Sequence, residues 1–389
     1  DAGNHLVMPG MVNTHFHLPQ VLMRGIYDSV EALDKLKNYT WPIQGHYDKA
    51  DALASAKLGL LEMIKSGTTT FLSTGLHPRY GIDDIAQAVV DSGMRAGLSK
   101  YIMDTNAYDL DKSALDPGMW ETGEESLQQA KDMIDRWHGA GDGRLRVWIS
   151  PRSVGGCSVD LLKQAAGLAE ERGVGITAHW SEVQSNVEYT VKNFGKRPVF
   201  FAEDMGLLGP NVVFAHGIYL DDEEMELLAQ SGTSIAHCPV CNAKLAMGTA
   251  KVPRMLEHGV NISLANDGMG VNNTADHFRE MRSMLLIHRT VNANPLYPGT
   301  EEALEMATLA GARAVMQSDR IGSIEPGKQA DMILIRWREA HMVPLHDAPS
   351  ALVWAANGGD VDTVVVDGRV LMRDRRVLTM DESAVVAEA

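Results

Sequence analysis

Short apolar, β-branched runs alternate along this chain with longer stretches whose apolar residues recur every three to four positions. The short runs read as strands at 6–17, 68–74, 95–102, 144–152, 173–180, 211–218, 233–239 and 260–267. The intervening stretches, among them 48–67, 82–93, 159–173, 222–232 and 252–259, read as helices. Each of these five ends in a glycine placed as a C-cap. Strand–helix alternation repeated eight times predicts an α/β fold, a (β/α)8 TIM-type barrel over 6–320. The pattern then changes. Residues 300–315 read as one helix, and 330–336 and 361–372 as short strands with Asp367-Gly368 as a hairpin turn. Residues 321–389 are therefore expected to form the C-terminal part of a small β-sandwich domain. No internal repeat beyond the barrel rhythm and no low-complexity segment interrupts this.

Composition narrows the function. With 389 residues, 45% hydrophobic and 22% charged, the chain has ample material for a buried core. A net charge of −16, with no basic run, argues against nucleic acid or an anionic membrane as partner. No apolar run approaches the ~18–20 residues of a membrane helix, and the first residues do not read as a signal peptide. Three cysteines are too few for a disulfide framework. Cys238 and Cys241 form a lone C-x-x-C that reads as a pair of buried thiols. The expectation is a cytoplasmic enzyme with a small-molecule partner.

Five of the fourteen histidines fall at the ends of predicted strands: His15 and His17 on the first, then His179, His216 and His237, while Asp267 ends the eighth. In such a barrel these ends carry the active site. Ionisable side chains buried there are costly unless paired or metal-bound. His15 and His17 are two apart on a strand and project to one side. His179 and Asp267 would complete a His₃Asp set that leaves a position for water on zinc or ferrous iron. Glu182, three residues past His179, is placed to move protons between that water and a substrate atom.

The segments 9–25 (PGMVNTHFHLPQVLMRG), 179–182 (HWSE), 215–224, 236–248, 266–273 and 321–335 resemble the amidohydrolase superfamily. The similarity is to the branch of adenosine-, guanine- and cytosine-type deaminases and s-triazine hydrolases. It implies one divalent metal, zinc or else ferrous iron, held by His15, His17, His179 and Asp267. Glu182 would be the proton shuttle, His216 would orient water or a developing oxyanion, and Asp267 would also act as base. Two-metal members use a lysine on the fourth strand, and none occurs here, so one metal is expected. The implied reaction is deamination of an amino-substituted nitrogen heterocycle (purine, pterin or triazine) by a metal-bound hydroxide, a hydrolase reaction on a C–N bond. The alternatives are an s-triazine hydrolase displacing chloride or alkylamine, and a non-catalytic metal-binding barrel.

Substrate contacts are expected from Gln20, Gln44, Arg152, Trp180, His237 and Asn242. Gln20 and Gln44 resemble atrazine chlorohydrolase and melamine deaminase; the methylthioadenosine and S-adenosylhomocysteine deaminases usually carry Glu at the second position. Two readings stand for Arg152, an anion or carbonyl binder or a surface ion pair, and two for Trp180, a stacking platform or core. A homodimer is implied by resemblance alone. Relatives carry roughly fifty further residues before the first ligand strand. An appendage lacking its N-terminal strands, with unpaired edges and exposed apolar area, is the corresponding expectation.

Overall fold

The computed structural model describes residues 2–105 and 116–389. Eight strands form one parallel sheet in chain order: β2 (Met11–Phe16), β3 (Thr68–Leu76), β4 (Arg95–Ile102), β5 (Leu145–Pro151), β6 (Gly175–Trp180), β7 (Val212–His216), β8 (Ser234–His237) and β9 (Ile262–Leu264). Helices fill the connections, so the sheet is the inner wall of a (β/α)8 barrel. β2 is buried at all six positions and β3 at all nine, as both faces of a covered parallel strand require. Closure runs through the short β9. Thr14 Oγ1 lies 2.7 Å from Ser263 Oγ, Asn13 Nδ2 donates to Asn266 Oδ1 at 2.8 Å, and Asp267 N donates to His15 O at 2.9 Å. Barrel closure is thus what brings Asp267 beside His15.

A second sheet is antiparallel, in the order β1 (His5–Pro9), β10 (Met332–Arg336), β11 (Val361–Val366), β12 (Arg369–Arg373) and β13 (Arg376–Val377). It departs from the sequence reading in one way. The expected first strand, 6–17, is two strands. Residues 5–9 pair with Met332–Arg336, and the chain enters the barrel only after Gly10. A side chain at Gly10 would come within 2.1 Å of Thr69, so the crossing needs glycine. The sheet is a single layer, as an appendage with only part of its sandwich would be: Met8, Ile333, Val364 and Met372 form a buried row across it, and Val7 on the other face is 43% exposed. The inner face meets the end of helix Lys49–Ser66, where Gly67 (φ 91°) lies against Ile333, Val361 and Met11.

The helix expected over 300–315 breaks at Thr308 (φ −130°, ψ −89°) into Thr300–Ala307 and Leu309–Ala314. The break lays Gly311 flat on Val12, where a Cβ would approach to 2.7 Å. A terminal helix, Glu382–Glu388, was not apparent in the pattern; Lys65–Glu382 and Lys57–Glu388 ion pairs tie it to Lys49–Ser66. Among the described residues no helix is long and apolar enough to cross a membrane.

Barrel and sheet share one buried ion pair. Arg95, opening β4, donates from Nε and Nη2 to Asp331 at 2.9 and 3.1 Å, and the Asp331 carboxylate also accepts from Asp367 N at 2.8 Å. Removing one partner of such a pair leaves the other charge buried. Asp331→Ala is therefore expected to cost about 3–5 kcal/mol in chemical denaturation; a loss under about 1 kcal/mol contradicts this.

Candidate active site

Three imidazoles and a carboxylate converge at the C-terminal mouth of the barrel. Donor atoms of His15, His17 and His179, and separately of His15, His216 and Asp267, lie within 4.8 Å of one another. His17 Nε2 is 3.3 Å from His179 Nε2 and 3.1 Å from Asp267 Oδ1, and His15 Nε2 is 3.6 Å from the same oxygen. The far nitrogens have partners that set the rings: Thr74 Oγ1 at 3.3 Å from His15 Nδ1, and Arg152 O at 3.2 Å from His179 Nδ1. A proton held at those positions leaves each Nε2 lone pair facing the centre.

Electrostatics agree with a cation site. Burial lowers His15 to about 4, against the opposing pull of Asp267. Burial, then His15 and His17, hold His179 well below its ordinary value. Burial alone would raise the Asp267 carboxyl, but the His15 and His17 imidazoles outweigh it and hold Asp267 well below the usual carboxylate range. Neutral imidazoles and an ionised carboxylate, nearly dry and with lone pairs facing, are what a divalent ion requires. The buried His15 Nε2 has no hydrogen-bond partner. The residues fit one ion with three nitrogen donors and one oxygen donor. β5, the fourth barrel strand, contributes no lysine. Lys100, on β4, is committed to Glu121 at 2.7 Å.

The surrounding backbone is strained. Ser181 (φ 50°), His216 (φ 75°) and Asp267 (φ 64°) all adopt the left-handed region, each just past or at the end of a barrel strand. Such conformations cost of order 1–3 kcal/mol each and cluster where geometry serves chemistry. Here they turn side chains inward at the mouth. Glu182 follows Ser181, its backbone N–H donating to Asn186 Oδ1 at 3.0 Å. Its Oε1 lies 3.7 Å from His216 Nε2, and Asn242 Oδ1 lies 3.0 Å from His216 Nδ1.

These groups edge a cavity lined by His17, Gln20, Lys35, Tyr101, Arg152, His179, Glu182, Asn186 and Asp267 among others. Arg152 lies over the Trp41 and Tyr101 rings, at 5.3 and 5.0 Å, and belongs to the buried cavity wall.

Four expected substrate contacts fall elsewhere. Trp180 stacks on Phe214 at 4.8 Å and donates to Pro198 O, because it follows the inward His179 by one residue and so faces the outer core. His237 also points outward, 3.2 Å from His288 on helix His277–Asn292. Asn242 serves His216, and Gln44 is buried in helix Trp41–His46 outside the lining.

The Amidohydrolase family model matches residues 6–371. The chain belongs to this family. It is 36% identical, over its whole length and 86% of the relative's, to the 5′-deoxyadenosine deaminase of Methanosarcina mazei. Identity and coverage are the same for the 5-methylthioadenosine/S-adenosylhomocysteine deaminase of Moorella thermoacetica. In structure it is similar to an adenosine deaminase from Xanthomonas campestris with bound zinc (TM-score 0.90, 28% identity, 99% of this chain and 84% of that one). It is also similar to the zinc complex of atrazine chlorohydrolase from Arthrobacter aurescens TC1 (TM-score 0.89, 25% identity, 99% and 87%).

Several site residues went unmarked in the sequence reading. Lys35 and Tyr101 line the cavity, Asn186 holds the Glu182 turn, and the buried Cys241 thiol donates to Asp267 Oδ2 at 2.8 Å. Behind Asp267, burial pushes Glu280 up to about 8, opposed by Asn272 and other donors. None of these is separable by spacing from ordinary helix and loop positions.

Burial also lowers His277 and His288 to about 4. In the unfolded chain these imidazoles take protons near the ordinary 6.5. Their stabilising contribution is thus complete above that value and lost as pH falls from 6.5 towards 4. For His277 alone the loss over that window is roughly 3 kcal/mol. Urea midpoints of metal-depleted protein should fall over this range, and His277→Asn should flatten the dependence; an unchanged slope contradicts the assignment.

Proposed function

We propose that the protein is a metal-dependent aminohydrolase that replaces an exocyclic amino group of a purine-type nucleoside with oxygen and releases ammonia. The observation that carries this is the meeting of the His15, His17, His179 and Asp267 donors with Glu182 and His216 beside one cavity. The end-to-end relatedness to proteins named as deaminases of adenosine derivatives supports the substrate class. Zinc is the proposed ion, in keeping with the nitrogen-rich donor set and the zinc-bound neighbour. A homodimer working in the cytoplasm belongs to the same reading, on family resemblance and three free thiols.

A divalent ion held by the four donors supplies Lewis acidity, lowering the pKa of water and polarising the carbon under attack. The chain's own residues do the rest. Asp267, kept ionised, is the base that takes the proton of the attacking water. Glu182 sits at the cavity rim, 20% exposed, where it hands a proton to the ring nitrogen next to the reacting carbon. Ammonia is a poor leaving group and needs such protonation; chloride does not. His216 is held by Asn242 so that Nε2 faces Glu182 and the developing negative charge.

The s-triazine alternative draws on the resemblance of Gln20 and Gln44 to atrazine chlorohydrolase and melamine deaminase. Gln20 lines the cavity with Oε1 against Gly268, whereas Gln44 is not among the lining residues. A structural metal site is disfavoured by Glu182, because a closed site needs no neighbouring acid.

With zinc-loaded protein, ammonia release from 5′-deoxyadenosine is the assay. Glu182→Gln should retain its zinc and lose about 10²–10⁴-fold in kcat. Undiminished turnover removes the shuttle role. Chloride release from chlorotriazines with no ammonia from any purine nucleoside overturns the function.

A further inference from the structure

Four cations among the described residues are buried: Lys35, Arg95, Lys100 and Arg152 are 7%, 0%, 0% and 7% exposed, and Arg152 lies over the Trp41 and Tyr101 rings. Two have obvious counter-charges, Arg95 with Asp331 and Lys100 with Glu121. Lys35 has none: no carboxylate and no hydrogen-bond acceptor among the described residues engages its ammonium. It lines the cavity that holds the metal donors. A packed lysine with no counter-charge on a cavity wall is placed to meet an anion entering that cavity.

Its placement is built. Helix Ala32–Lys35 runs through a π-helical turn, Leu36–Thr40, into helix Trp41–His46. Such turns reset the face that a helix presents and are frequent at functional sites. Here Ala32, Leu33 and Lys35 before the turn and Leu36 at its start line the cavity, and Trp41 after it lies under Arg152. The charge of Lys35 is felt at Tyr27 and Cys241, on the Asp267 side, across the barrel mouth from Arg152 at the end of β5. Lys35 and Arg152 balance Glu182 and Asp267 on the cavity wall. A divalent ion then leaves the cavity net positive, which an incoming anion would offset.

We propose that Lys35 is the specificity-determining residue of an anion subsite, receiving a carboxylate or phosphate carried by the substrate. This rests on the purine-nucleoside reading above and adds to it a charged arm as the feature selected.

The test uses zinc-loaded protein and three probes: 5′-deoxyadenosine (neutral), adenosine-5′-carboxylic acid and adenosine 5′-monophosphate. Calorimetric Kd and steady-state KM are measured for wild type, Lys35→Met and Lys35→Arg, with zinc content and Tm as folding controls. Lys35→Met should weaken one anionic probe about tenfold or more relative to the neutral one, the worth of a charge-assisted hydrogen bond, and Lys35→Arg should recover most of that loss. The anionic probe that responds identifies the group. An equal effect on all three probes, or no wild-type preference for either anion, overturns the proposal. If no probe is deaminated, the deaminase reading fails, and the calorimetric arm still decides the subsite: anion binding lost in Lys35→Met upholds it, and no anion binding overturns it.

Discussion

The rest of the structure answers to one electrostatic constraint: three imidazole lone pairs and an ionised carboxylate must be held facing one another where water hardly reaches. Left alone these groups repel or desolvate at a cost, and a flexible chain would turn them apart. The barrel prevents this. β2 carries His15, His17 follows just past its end, β6 brings His179, and closure through Thr14–Ser263 and Asn13–Asn266 delivers Asp267 to within 3.6 Å of His15. The 3.3 Å approach of His17 and His179 makes sense with a positive ion between them.

Holding that arrangement draws on stability elsewhere. Three residues at the strand ends accept left-handed backbone, and the Asp267 loop is backed by a buried network of Asn266, Asn272 and Glu280. Cys241 adds a thiol donor to Asp267 Oδ2, and burial keeps that thiol protonated. The C-x-x-C is therefore part of the support for a ligand, with both sulfurs enclosed and reduced. The small sheet contributes at a distance. It packs on the end of helix Lys49–Ser66 and is pinned to β4 by Arg95–Asp331, at the end of the barrel away from the mouth.

Much of this was legible in the chain because metal donors at strand ends break the apolar rule for parallel strands. His15, His17, His179, His216 and Asp267 stood out for that reason, and Glu182 stood out by adjacency. The failures have physical causes too. Trp180 was one residue out of phase with His179, and strand parity sends it outward into Phe214. Pro9-Gly10 carried a turn signal inside the expected first strand, and the chain there changes sheets. Lys35 carried no motif that would single it out; a π-turn, which spacing cannot foresee, follows it where it lines the cavity. Gln44 misled because an amide in a likeness to triazine enzymes says nothing of where its helix faces.

The central claim is that one divalent ion sits among His15, His17, His179 and Asp267. Anomalous diffraction at the zinc edge, on crystals of the zinc-loaded protein, tests this directly. The account predicts one peak per chain, about 2.0–2.2 Å from three imidazole nitrogens and one Asp267 oxygen. No peak at that position, or a single peak at Cys238 and Cys241 instead, would contradict it.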